Sequence, residues 1–279
     1  NFKNSVEIEL DTIRFYSNES LSNGAAIILN YGYNVTINAA RAEFINNTSQ
    51  DKGGAIYNSG TLSLTNAIFK GNTAYDGGAI ENSGTLVISN SIFEENIANN
   101  NAGAIVNRNG AVATLINTSF YDNKTKWGSG GFTNYGTLNL IADNGLSEFK
   151  GNIRTGDNDF RSLSNGGNKS TIGVSIININ AGNTGRMAFY DRIHNSDTIN
   201  INKTGIKLAD GSTDAPVDGE IYIGSAIAQF EKQGTGTINL YNGTLTLAKE
   251  EYLSDSTQNL NLNGGTLNLI NNEIGTVIV

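Results

Sequence analysis

Two stretches of this chain are near-copies of one another. Gly53 to Asn72 reads GGAIYNSGTLSLTNAIFKGN, and Gly77 to Asn96 reads GGAIENSGTLVISNSIFEEN. They agree at 13 of 20 positions without a gap, 24 residues apart. Self-similarity at a short fixed period marks units that cannot bury their apolar face alone and must stack. An FxxN box recurs at Phe15, Phe44, Phe69, Phe93, Phe120 and Phe149, with spacings of 29, 25, 24, 27 and 29 residues. Between these boxes lie GAAI at Gly24, GGAI at Gly53 and Gly77, AGAI at Ala102 and a degenerate SGGF at Ser129.

The apolar runs inside the unit are too short for helices. They alternate with period two, as in Leu62 and Leu64 or Leu86 and Ile88, which is the pattern of half-buried strands. Gly, Asn, Ser and Asp separate them, residues that accept tight turns and left-handed backbone. Three short strands and three turns in one unit describe a rung of a β-solenoid. The predicted fold is therefore all-β: a single-stranded parallel β-helix of about 22–29 residues per rung, right-handed as known parallel β-helices are. Ile56, Leu62, Leu64 and Phe69 point inward, with Ile80, Leu86, Ile88 and Phe93 above them. Asn47, Asn72, Asn96, Asn123 and Asn152 form one expected amide ladder, and Asn58, Asn82, Asn107 and Asn134 a second. Residues 1–152 carry the boxed rungs. Residues 153–279 are read as the same solenoid with divergent rungs, after an irregular, turn-rich loop near 151–170.

Composition narrows the function. The net charge is −8 and the sequence pI about 4.7, so a nucleic-acid partner, which needs a basic face, is not expected. Cysteine is absent, which removes thiol nucleophiles and zinc–thiolate sites. No apolar run reaches the length of a membrane helix, so this segment is not expected to insert into a bilayer. The chain opens without Met or an apolar signal core, and reads as a segment whose targeting and anchoring parts lie elsewhere.

Tandem GGAI and FxxN boxes, followed by FYDRI at Phe189 to Ile193, resemble the polymorphic outer-membrane protein family of autotransporters, known from chlamydiae and other bacteria. That family carries a similar FYDPI element, and here Arg192 stands in place of its Pro. NINKTG at Asn200 and the elements NGTLTL and GGTLNL look like autotransporter adhesin passengers more generally. The resemblance implies a passenger displayed outside the cell, exported by a Sec signal and held by an outer-membrane β-barrel beyond this chain. It implies adhesion to a host-cell surface protein, matrix or glycan receptor, and self-association. It links adhesion to the boxes, here Gly53, Gly54, Ala55, Ile56, Phe69, Asn72, Gly77, Gly78, Ala79, Ile80, Phe93, Asn96, Phe120 and Asn123. The alternation assigns these residues a structural role instead, and places the binding surface on outward positions: Tyr57, Tyr75, Glu81 and Trp127.

The rival class is a β-helix polysaccharide lyase or hydrolase, which needs clustered acids, bases or His on one face. The sole histidine, His194, lies in DRIHNSD with Asp191, Arg192 and Asp197, and reads as a solvated surface group. Gly156 to Asp159 and the acids Asp210, Asp214, Asp218 and Glu220 lack the ligand spacing of calcium loops and read as flexible acidic loops. No GxSxG elbow, HExxH helix, P-loop or GDSGS box is present. The expectation is a non-enzymatic adhesin without cofactor or metal, the alternative a self-associating structural β-helix.

Overall fold

Each unit folds because its polar residues sit where the chain turns and its apolar residues where it runs straight. The computed structural model describes residues 4–166, 175–182, 184–208, 214–224, 227–228, 236–248 and 259–270. Among these, every regular element is a strand. They stack into a parallel β-solenoid of about 8 turns, about 27 residues each.

Three ladders make up the walls. The long ladder holds two strand segments per turn and runs from Asn4–Tyr16 through Tyr33–Ile45 and Thr61–Lys70 to Asn259–Leu262 and Thr266–Leu269. A short ladder stacks the two-residue strands Glu19–Ser20, Thr48–Ser49, Thr73–Ala74, Ile97–Ala98, Lys124–Thr125 and Ile153–Arg154. The third ladder begins with Ile27–Leu29, Ile56–Asn58 and Ile80–Asn82 and continues to Arg192–Asn195 and Ile227–Ala228. Register places identical positions over one another: Leu62 on Leu86, Leu64 on Ile88, Phe69 on Phe93. All eight residues expected to point inward from these two rungs have no exposed surface.

The core is a set of columns. Phe15, Phe44, Phe69, Phe93, Phe120, Phe149 and Phe189 form one stack, with ring centroids 4.6–4.9 Å apart. Ile223, Leu247 and Leu269 continue that column in the later turns. Both expected amide ladders form, and the second continues through Asn165 to Asn195. A third runs along Asn139, Asn178, Asn200, Asn239 and Asn261.

Two features depart from the sequence reading. Equivalent positions are 40 residues apart between Gly151 and Asp191, and 34 between Arg186 and Glu220. Both exceed the expected 22–29, because extra chain is accommodated at corners while the long ladder keeps its register. The segment expected to be an irregular loop contains a β-hairpin, in which Ile153 pairs with Phe160 and Arg154 with Asp159, antiparallel. From Leu163 to Asn165 the chain rejoins the third ladder against Phe132–Asn134.

Candidate functional site: the boxes inside and the faces outside

The FxxN box is a corner. Its Phe ends a long-ladder strand facing inward. The residue two positions later is left-handed in every copy: Ser17, Asn46, Gly71, Glu95, Asp122 and Gly151 have φ between 51° and 74°. That turn carries the Asn side chain into the interior. Asn96 then uses its amide fully. Its Nδ2 donates to Asn123 Oδ1 and to the Phe69 carbonyl, each at 2.9 Å, while its Oδ1 accepts from Asn72 N at 3.0 Å and Asn72 Nδ2 at 2.9 Å. Four bonds are all that a primary amide can form.

The GGAI box is the opposite corner. A Cβ on Gly54 would meet the Gly78 carbonyl oxygen and stand 2.7 Å from Thr73 N and O. On Gly78 it would meet the Gly103 carbonyl oxygen and stand 2.7 Å from Ile97 C. Backbone cannot yield as a flexible side chain can. Gly78→Ala is therefore expected to lower stability by about 3 kcal/mol, read as a lower urea midpoint. An unchanged midpoint would show that the corner opens without cost. Gly53, Gly54, Ala55, Ile56, Phe69, Asn72, Gly77, Gly78, Ala79, Ile80, Phe93, Asn96, Phe120 and Asn123 are all buried. In the folded rod these boxes present no side chain to a partner.

The surface positions are scattered differently. Tyr75 and Trp127 are about half exposed, at 50% and 53%, and Tyr57 is half-buried. Tyr75 and Trp127 follow the short strands Thr73–Ala74 and Lys124–Thr125. The outer face of this ladder shows Thr48, Ile97 and Lys124 in one column, and Gln50, Tyr75, Asn99 and Lys126 in the next. Exposed Phe160 lies on the hairpin one turn further on.

Glu81 was expected on that surface and is not there: it is 1% exposed. It points away from the core of the third ladder, but Arg108 Nε donates to its Oε1 from the next turn. The same guanidinium donates through NH2 to Asp76 Oδ2. Asp76 Oδ1 accepts from Asn100 Nδ2, Asn101 N and Asn101 Nδ2 at 2.9–3.1 Å. Tyr135 OH donates to Asn101 Oδ1 at 2.9 Å. These bonds fold the 99–101 loop over the ladder and cover the glutamate. Period-two alternation reports which side of a strand a residue is on, and cannot report what folds over that side.

Burial pushes the Glu81 carboxyl up to about 7, against the pull of Arg108. Burial acts on Asp76 too, but bonds from Asn101 and Arg108 hold it below its ordinary value. The folded chain therefore keeps the Glu81 proton at pH values where the unfolded chain has released it. This contribution is complete below the ordinary value of 4.5 and is lost as pH rises through about 7. Asp76 acts in the opposite sense, but only near and below its ordinary 3.8. The parent chain is expected to lose roughly 3 kcal/mol across the Glu81 window, while Glu81→Gln is expected to flatten that slope. Denaturant titrations on either side of the window measure it, and equal slopes in the two proteins would contradict it.

His194 is also a correction. Rather than solvated, it is 2% exposed, stacked beside Ser164 in the third ladder. Burial, then the charges of Arg161, Arg154 and Arg192, push its imidazole down to about 2. Ser196 Oγ lies 3.4 Å from its Nε2. Asp191 terminates the first amide ladder: its Oδ1 accepts from Gly151 N and its Oδ2 from Asn152 N and Nδ2. This role was legible in principle, because Phe189 stacks directly on Phe149, which places FYD over FKGN. Asp197 accepts from Ser175 N and Oγ.

Most acids of the two acidic segments are paired rather than loose, while Asp218 is exposed and accepts locally from Val217 N at 3.1 Å. Asp157 pairs with Arg154, and Asp159 with Arg154, Arg161 and Arg192. Asp214 pairs with Lys207 and Glu220 with Arg186, while Asp210 lies outside the described residues. No group of three His, Cys, Asp or Glu suited to a metal ion occurs among the described residues. An open groove of about 580 Å³ lies near the first turns, lined by Glu9, Leu10, Asp11, Asn38 and Asn66 among others.

The family model for the Chlamydia polymorphic membrane protein repeat matches residues 42–59. That span holds one FxxN box, one GGAI box and the short strand Thr48–Ser49 between them. No curated protein and no solved structure matches the chain. The chain is a parallel β-solenoid, and the segment similar to that repeat supplies two corners of one of its turns.

Proposed function

We propose that this chain is part of an autotransporter-like passenger displayed on a bacterial surface, and that it acts as a non-catalytic adhesin towards host cells or matrix. One observation carries the reading. The boxes that repeat are spent on the interior, so what varies from turn to turn is the outer face of the short ladder with Tyr75, Ile97, Lys124 and Trp127. A constant frame with variable outward positions is how solenoids build extended binding surfaces. The matched repeat supports surface display. The burial of His194 and the bonds made by Asp191 and Asp197 support a non-catalytic role for DRIHNSD.

The test is binding of the purified, folded chain to cultured host-type cells and immobilised matrix proteins. Saturable binding at micromolar concentration is the expected result. No binding to any cell, matrix protein or glycan would remove the adhesin reading. A second reading, lateral self-association, has its own support. Thr61, Thr85, Val112, Thr137, Ile176, Thr198 and Thr237 form one outward column on the long ladder, a regular face on which another rod could lie. Concentration-dependent sedimentation separates the two.

A further inference from the structure

Although the chain carries a net charge of −8, the balance reverses around Trp127. Lys124 and Lys126 flank buried Thr125, so both ammonium groups leave the same side of the strand, and both are exposed. Neither joins an ion pair among the described residues. Lys126 Nζ lies 5.6 Å from the Trp127 ring centroid. The indole is backed by Gly156 of the next turn, where a Cβ would stand 3.4 Å from Cζ3. The hairpin that Gly156 belongs to carries exposed Phe160. It also sets Arg154, Arg161 and Arg192 around Asp157 and Asp159, three guanidinium groups to two carboxylates. The Arg192 side chain is 42% exposed. Of the exposed acids nearby, Glu95 and Asp122 precede the short strands, whereas Trp127 follows them, and Asp157 on the hairpin is taken up by Arg154.

We propose that this patch binds a sulfated polysaccharide, with a sugar ring on the Trp127 face and sulfate groups on Lys124, Lys126 and Arg192. This rests on the surface-display reading, since such a glycan is met outside a cell. Lys124 and Arg192 belong to turns two apart, roughly 10 Å along the axis, a span suited to a short oligosaccharide. An indole with a cation at its edge offers an apolar platform beside an anion site, and a sulfated sugar presents both surfaces. Single-stranded nucleic acid favours successive aromatic platforms in a continuous basic groove. Here the cations are few and the chain beyond them is acidic.

The test is titration of the purified chain with a fluorescent heparin octasaccharide at low and high salt. Binding is expected, weaker at high salt because exposed charges are screened. The Lys124→Glu, Lys126→Glu double variant is expected to lose at least about tenfold in affinity. Trp127→Ala is expected to lose about threefold to tenfold while keeping its salt dependence. All three positions are exposed, and an unchanged unfolding midpoint checks that the fold is retained. The proposal fails if the parent does not bind, or if the charge-reversed variant binds like the parent. It also fails if single-stranded DNA of equal charge binds as tightly as the octasaccharide. Cells stripped of sulfated glycans separate this from the parent reading. Undiminished adhesion to them would overturn the patch and leave the adhesin standing. Octasaccharide binding without adhesion to any cell would do the reverse.

Discussion

Asn96→Asp is expected to be among the most damaging single substitutions in this chain, although it changes one NH2 to an oxygen. In the parent, Asn96 donates to Asn123 Oδ1 and the Phe69 carbonyl and accepts from Asn72. A carboxylate can still accept from Asn72, but it faces two acceptors with no proton to offer. It would also place a charge where the side chain has no exposed surface. Unpaired buried charge and orphaned acceptors together cost roughly 3–5 kcal/mol. Because solenoids couple mainly nearest neighbours, the damage should centre on nearby turns. Hydrogen exchange of amides around Asn72, Asn96 and Asn123 is the direct measurement, with the urea midpoint as the global one. Protection within a few-fold of the parent would show that the ladder is decoration on a frame held by other contacts. Asp191 shows why position matters: at the ladder's end its two oxygens accept from Gly151 N and from Asn152 N and Nδ2, bonds that a carboxylate can make.

Phe93→Ala carries the other large effect. The ring lies between Phe69 at 4.6 Å and Phe120 at 4.9 Å, with interplanar angles of 1° and 7°. Truncation removes the transfer free energy of the side chain and leaves a cavity that stacked strands cannot close by moving together. The expected cost is about 4 kcal/mol. Phe93→Leu should cost about 1–2 kcal/mol, since volume-conserving changes are tolerated. The column itself supports this: Ile223 and Leu247 replace Phe in later turns without breaking it. Equal losses for Ala and Leu in thermal or urea unfolding would mean that ring stacking, not volume, holds the column.

Much of the fold was legible because in a stacked fold sequence period and spatial register coincide. The spacing of Phe69 and Phe93 is the spacing of turns, so a repeat in the chain is a column in space. Leu62, Leu64, Phe69 and Ile56 could be placed inward by alternation alone. Asn72 and Asn96 could be set one above the other by counting. The same counting fails where chain is inserted between turns. From Phe149 to Phe189 the period breaks, yet the long ladder keeps its register, and the hairpin at Ile153 to Phe160 has no counterpart in earlier turns.

Glu81 and His194 mark the other boundary. Both sit at outward positions of the third ladder, and alternation alone reads them as exposed. They are buried because the 99–101 loop is tied to Asp76 and because arginines from two successive turns gather near Asp159. The charge reversal around Trp127 arises in the same way, from residues far apart in sequence brought to adjacent turns. The repeat by itself determined the solenoid, its core columns and its amide ladders, because local alternation and a fixed period are enough to specify stacking. Only the tertiary structure decided which outward side chains reach solvent and which charges meet. Those depend on loops of unequal length folding across turns, and no periodicity encodes them.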